Sequence, residues 1–308
     1  MALAGCSSLD PASDTAAKFW SSSAGGGGAI SSGGAPGSGG AAAFGGTSPD
    51  WACLGMPVAI ASRTPDRVHY RVAIVDFDSQ PPPNMPTAVE GLEITVCGSP
   101  SCNPPFTEPT VVIHNPIEGA PPYLFDIEFP YNFSNGSLRL TAPGYAPMDY
   151  VFGGPLNGPP EGGYVVMGQT IPLLKVTTRD TIYNDLGLPG PADPTRGVLA
   201  VRTLNCQRNM TGAQGQRAAG VRLHAIPEAP PAPAVAWTLS FSNRATPNKL
   251  ETDARGVAGF VNVLPGTIDV EGIAPVGEGT PYGETALRVR AGVITLAEVR
   301  MGIDRFGQ

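Results

Sequence analysis

The stretch "LETDARGVAGFVNVLPGTIDVEGIA" (250–274) packs two turns and two strands into consecutive residues. In Thr252-Asp253-Ala254-Arg255-Gly256 the aspartate can bond its own downstream backbone, and the glycine accepts a positive φ. The alternating apolar residues of "VAGFVNV" predict a strand, Pro265-Gly266 a second turn, and "TIDVEG" a returning strand. Tight turns between period-two runs argue for antiparallel β-structure.

Working outward, the second half carries five more runs of this kind: "GVLAVRTLN" from Gly197, "AGVRLHAI", "AVAWTLSFS", "ETALRVRAG" and "VITLAEVRM". Seven strands in about 105 residues suit a small β-sandwich. In the first half, strands are expected at 67–79, 89–98, 110–115, 123–130, 136–144 and 165–178, separated by proline-rich connectors such as "QPPPNMP" and "NPPFTEP". A helical turn is expected at 178–187. The composition agrees, because 40 Gly and 34 Pro among 308 residues weigh against helix bundles while a 42% hydrophobic fraction still supports cores.

The halves also look like weak copies of each other. "GLEITVC" (91–97) occupies the place of "GVRLHAI" (220–226), "GSLRLTAPG" (136–144) that of "GTIDVEGIA" (266–274), and "GQTIPLL" (168–174) that of "GVITLAE" (292–298).

These residues carry a resemblance. The turn at Thr252, Asp253 and Gly256, the following strand and Pro265-Gly266 resemble the carboxypeptidase regulatory-like (transthyretin-like) module. Gly220-Val221-Arg222-Leu223 and Gly292-Val293-Ile294-Thr295-Leu296 look like its early and closing strands. The likeness covers roughly 197–301. It is thinner in the first half, where Ala142-Pro143-Gly144-Tyr145 resembles the family's "GY" corner but the T-D-x-x-G turn is missing. The resemblance implies a seven-stranded sandwich and a non-catalytic role. The expected fold is therefore all-β: two tandem transthyretin/prealbumin-like sandwiches, at 51–178 and 197–303, joined by a linker at 179–196. Related sandwiches on cell surfaces cross-link through a Lys–Asn isopeptide. The three lysines, Lys18, Lys175 and Lys249, do not fit that arrangement.

Residues 1–50 read differently. From Phe19 to Pro49 no residue is charged, and nearly all are Gly, Ser or Ala. Such a segment buries too little apolar surface to offset its ordering entropy, so a disordered tether is expected, spanning roughly 35–40 Å as a coil. Before it stands Leu3-Ala4-Gly5-Cys6, which fits a bacterial lipobox with Cys6 as the lipidated residue. The basic and apolar regions of a signal peptide are absent ahead of it, and Met1 is read as a misplaced or trimmed start. The whole arrangement looks like envelope lipoproteins of GC-rich bacteria, so the expected location is the outer membrane of a Gram-negative cell.

No enzymatic chemistry is expected. His69, His114 and His224 lie far apart, in no metal-ligand spacing, and no metal or cofactor is expected. Asp76-Phe77-Asp78 reads as a solvated strand end. The net charge is −7 without a basic run, which excludes a phosphate-tracking surface and nucleic-acid partners. Apart from Cys6, the cysteines are Cys53, Cys97, Cys102 and Cys206, with three ways to pair. The short turn between Cys97 and Cys102 favours a local bridge, which leaves Cys53 with Cys206. A zinc half-site at Cys97 and Cys102 lacks a second pair. Aromatic residues crowd into 123–152. Phe125 and Phe129 share a strand parity and are expected to be buried, while Tyr131 and Phe133 in "PYNFSNG" are the candidate ligand surface. The functional expectation is a lipid-anchored envelope protein displaying sandwiches for binding, adhesion or scaffolding to a glycan, peptide or envelope protein. The alternative is a secreted carbohydrate- or protein-binding accessory to a separate enzyme.

Overall fold

The structure, a computed structural model, describes residues 51, 67–79, 86–98, 102, 105, 111–115, 120–130, 136–151, 165–167, 170–205, 217–226, 234–239, 244–253, 255–276 and 280–299. The first segment carries β1 (Arg67–Asp76), β2 (Glu93–Cys97), β3 (Val112–His114), β4 (Leu124–Pro130), β5 (Ser137–Thr141), β6 (Met148–Val151), β7 (Val165–Met167) and β8 (Ile171–Leu173). Helix α1 (Val176–Asp185) follows. The remaining strands are β9 (Gly197–Thr203), β10 (Arg222–Ile226), β11 (Val235–Leu239), β12 (Ala245–Pro247), β13 (Val257–Val263), β14 (Gly266–Ala274), β15 (Thr280–Val289) and β16 (Ile294–Val299). The fold is all-β apart from α1 and a short 3-10 turn at Phe77–Ser79.

One pairing pattern occurs twice. In the first segment β3 pairs β4, β4 pairs β1, and β8 runs parallel to β1. In the second, β11 pairs β13, β13 pairs β9, and β16 runs parallel to β9. Opposite these lie the antiparallel ribbons β2-β5-β6 and β10-β14-β15. The three sequence likenesses thus connect strands with the same neighbours.

The two copies are not separate layers, because β6 pairs β16 in parallel. The ribbon of the first copy is thereby extended by the larger sheet of the second, giving one eight-stranded sheet in the order β12-β11-β13-β9-β16-β6-β5-β2. The segments expected as tandem sandwiches at 51–178 and 197–303 share this sheet. Nor is 179–196 an extended connector. It holds most of α1, and Ile182, Tyr183, Leu186 and Ala192 are buried in the larger core.

The sharing shows in the burial of the central strands. Every residue of β9 and of β16 is buried. Val198, Ala200, Ile294 and Leu296 face the core that contains α1. Leu199, Val201, Ala297 and Val299 face the core beneath β10-β14-β15. Strands covered on both faces read as continuous apolar runs rather than alternations, as "GVLAVRT" and "ITLAEV" do. In β13 the parity slips at Asn262, whose φ is +60°, so Val261 faces one core and Val263 the other. A residue with positive φ at a register shift is the signature of a bulge. Gly259 in the same strand is required by close approach, since an added Cβ would lie 2.0 Å from the Leu199 carbonyl oxygen.

A fragment of residues 197–303 loses α1 and β6. It exposes Trp237, Leu239, Val261, Ile294 and Leu296, which at about 2 kcal/mol each costs on the order of 10 kcal/mol, comparable to the whole stability of a domain. The fragment is expected to aggregate or to bind a hydrophobic dye while the full chain does neither. Size-exclusion chromatography with dye binding checks this.

Candidate functional site

Polar side chains within the apolar face of the shared sheet make the first feature. Arg202 and Glu298 stand directly opposite each other in the parallel pair β9–β16, with side chains 2% and 0% exposed. Arg202 Nη1 donates to Glu298 Oε1 at 3.1 Å, and Nη2 donates to the Thr170 carbonyl oxygen at 2.9 Å. The Tyr150 hydroxyl, from β6, donates to the same Glu298 oxygen at 2.7 Å. With that proton committed, the Tyr70 hydroxyl of β1 donates to the Tyr150 oxygen at 3.2 Å. Both tyrosines are fully buried. One carboxylate therefore joins β16, β9, β6 and, through two hydroxyls, β1. The surroundings are cation-rich. Burial, followed by repulsion from Arg202 and Arg255, pushes the Arg217 guanidinium down to about 9, with Glu298 opposing, so Arg217 remains charged at neutral pH.

Beside this network a cavity of about 70 Å³ is lined by residues of α1, β9, β11, β13 and β16. Its walls, almost wholly apolar, include Met148, Ile182, Tyr183, Leu296, Arg202 and Trp237. Burial raises the Tyr183 phenol above its ordinary value, with a hydrogen bond from the Asn262 backbone opposing, so the phenol stays neutral. Two buried donors of these residues, Arg202 Nε and Trp237 Nε1, meet no acceptor among the described residues.

The turn motif has a structural task. Thr252 is 2% exposed. Its hydroxyl donates to the Ala218 carbonyl at 2.8 Å and accepts from the Val221 N–H at 3.1 Å. Its backbone bonds Val221 and Gly220. Gly256 has φ +61°, donates its N–H to the Asp253 carbonyl, and accepts the Thr203 N–H on its own carbonyl at 2.8 Å. The T-D-x-x-G turn thus clamps the end of β9 to the approach of β10. Pro265, in the turn after β13, and Gly266, the first residue of β14, are exposed.

The remaining expected residues divide clearly. Cys97 and Cys102 are joined by a disulfide, with Cα atoms 4.6 Å apart. Cys6, Cys53, Cys206, Tyr131 and Phe133 lie outside the described residues, and so does the side chain of Phe129. Phe125 is buried. The histidines stay apart, each beside a carboxylate: His69 with Asp126 at 3.1 Å, His114 with Glu128 at 3.7 Å, and His224 with Glu271 at 3.4 Å. Among the described residues no three potential metal ligands cluster. Asp76 is not a solvated strand end. It is 7% exposed, bonds the Asp78 N–H, and meets Lys175 Nζ at 2.8 Å. That contact, first of all, raises the Lys175 pKa. Arg202, Glu298, Tyr150 and Trp237 were missed. The available signal was a charged residue near the end of each of two apolar runs, "GVLAVRT" and "ITLAEV".

No known family's sequence profile matches the chain, and no curated protein sequence matches it. Among solved structures, the Bacillus anthracis TIE protein is similar over 76% of this chain, at 11% identity and a TM-score of 0.21, and the chain spans 34% of its length. The shaft pilin SpaA of Lactobacillus rhamnosus GG is similar over 78% of this chain and all of its own, at 10% identity and a TM-score of 0.20. The BcpA major pilin subunit of Bacillus cereus is similar over 75% of this chain and 68% of its own, at 8% identity and a TM-score of 0.18. At this level the likeness assigns no family and no ligand.

Two substitutions probe the site's construction. Glu298→Leu leaves the buried Arg202 without its carboxylate and costs about 3–5 kcal/mol, while Arg202→Met, which leaves Arg217 near Glu298, is expected to cost less. The double variant is expected to lose clearly less than the two losses combined, as read from urea unfolding midpoints. Thr252→Val deprives Ala218 and Val221 of their side-chain partner and costs about 1–3 kcal/mol by the same measurement.

Proposed function

We propose that the chain is a non-enzymatic, lipid-anchored cell-envelope protein that displays its β-sandwich body for binding, adhesion or scaffolding, on the outer membrane of a Gram-negative bacterium. The observation that carries the proposal is the joining, in one chain, of a body with a doubly covered central sheet to a long charge-free Gly/Ser/Ala segment. The segment at 19–49 has the composition of a flexible leash, and Leu3-Ala4-Gly5-Cys6 ahead of it has the pattern of a lipid-attachment site. A sheet covered on both faces resists local opening, which suits a module held away from the membrane. No helix among the described residues is long and apolar enough to cross a membrane. An anchor at Cys6 would supply the attachment, with a second acyl chain giving the stable hold that one chain does not. In this reading the work is positional: the leash sets the reach, and loops of the body make the contact with a glycan, a peptide or an envelope protein.

The test is metabolic labelling with radioactive palmitate in a bacterial host carrying the gene with its native upstream DNA. The expected result is a labelled protein in the membrane fraction, with label and membrane association both lost in Cys6→Ser. A protein that is unlabelled and soluble, or label that persists in Cys6→Ser, contradicts the anchor.

A further inference from the structure

Helix α1 is held to the body differently from the strands. Within it only Ile182 and Tyr183 are buried, and Leu186 follows just after. From Gly187 to Thr195 every residue is exposed except Leu188 and Ala192. The body grips the chain on either side of this segment. Before it, the Ala146 N–H donates to the Leu174 carbonyl at 2.9 Å and the Val176 N–H to the Gly144 carbonyl at 3.0 Å. After it, the Gly292 N–H donates to the Arg196 carbonyl at 2.7 Å. Between these points the backbone–backbone hydrogen bonds among the described residues stay local, as from the Leu188 N–H to the Tyr183 carbonyl. The Asp180 carboxylate accepts the Ala192 N–H at 3.3 Å, which joins the helix to the stretch after it.

Ionic and polar contacts fasten both ends of the helix. At the N-terminal end Lys175 Nζ meets Asp76 at 2.8 Å and Asp78 at 3.5 Å, and the Thr178 hydroxyl donates to the Asp78 carboxylate at 2.8 Å. At the C-terminal end Arg244 Nη2 donates to the Asp185 carboxylate. The side chains of Lys175, Asp78 and Arg244 are 41%, 37% and 67% exposed, so salt reaches them. Between these clasps the helix borders the apolar cavity, and side chains that line a void lose packing contacts there.

We propose that α1 is a lid: residues 177–195 swing off the body as a unit, hinged at Val176 and Arg196, and the ionic contacts at the two ends of the helix set how often the lid opens. Opening uncovers Met148, Trp237, Val261 and Leu296 of the cavity wall while the strands keep their ladders. A helix of ten residues is shorter than the roughly 12–15 at which isolated helices become even marginal, and Lys175 at its N-cap makes no side-chain cap bond. It therefore unwinds when it leaves the body, so its amide exchange records the opening. Salt separates the two ways of holding such a lid. At about 1 M the screening length falls to about 3 Å, which weakens exposed ion pairs and leaves apolar packing in place.

The inference does not depend on the anchor, so the two can fail separately. The test is hydrogen–deuterium exchange of the full chain labelled with nitrogen-15, followed amide by amide by NMR. The amides from Thr181 to Leu186 are expected to share one protection and to exchange well before those of β9 and β16. Raising sodium chloride to about 1 M should speed α1 about threefold to fivefold and leave β9 and β16 unchanged. This arm needs no variant. At low salt Asp185→Asn, which breaks the C-terminal clasp, and Thr178→Val, which loosens the N-terminal one, should each speed α1 to a similar extent. Glu271→Gln, which removes the same charge as Asp185→Asn but from the ribbon β10-β14-β15, should not. The proposal is overturned if α1 exchanges only as slowly as β9 and β16, if its amides exchange in a graded order from one end, or if salt and Asp185→Asn leave its rate unchanged.

Discussion

The pairing of Arg202 with Glu298 is the constraint on which the rest of the molecule depends. Two charges in the middle of a doubly covered sheet are tolerable only in one register, that in which the guanidinium and the carboxylate face each other across β9 and β16. A slip of one residue would turn Glu298 toward the opposite core and leave two uncompensated buried charges. Apolar residues of similar volume could have given as much stability, so the value of the pair lies in specification. It also reaches across the sheet. Tyr150, which donates to Glu298, belongs to β6, the strand through which the first copy of the pairing pattern joins the second.

Once β6 lies beside β16, the architecture follows. The ribbon β2-β5-β6 and the sheet β12-β11-β13-β9-β16 become one surface. One face closes against β10-β14-β15. The other closes partly against β1 and its neighbours and partly against α1, which lies where the chain passes from the first copy to the second. The cavity is a consequence of this arrangement, since the helix brings Arg179, Ile182 and Tyr183 to one side of it while β9, β11, β13 and β16 supply much of the rest.

Much of this could be read in the sequence, and the remainder could not for identifiable reasons. Alternation located most strands, and the internal likenesses pointed to strands that do share neighbours, because period-two burial and turn chemistry are local signals. β6 was missed, since "MDYV" is only four residues long, too short to show a clear alternation between "APGYAP" and "FGGP". Its partner is about 146 residues away, and a parallel pairing of that range leaves no local trace. Without β6, a shared sheet cannot be inferred, and two separate sandwiches are the natural reading. The helix was visible as a turn near 178–187, but its low amphipathicity hid the face that it buries. Asp76 looked solvated because Lys175, which holds it, is 99 residues away in sequence. The turn motif at Thr252 was conspicuous for a structural reason, whereas Arg202, Glu298 and Trp237 were hidden inside runs that read as ordinary strands.

The central claim is that the shared sheet makes both copies of the pairing pattern one cooperative body. Differential scanning calorimetry of the full chain tests it most directly. The account predicts a single transition whose calorimetric and van 't Hoff enthalpies agree. Two separable transitions, or a calorimetric enthalpy about twice the van 't Hoff value, would contradict it.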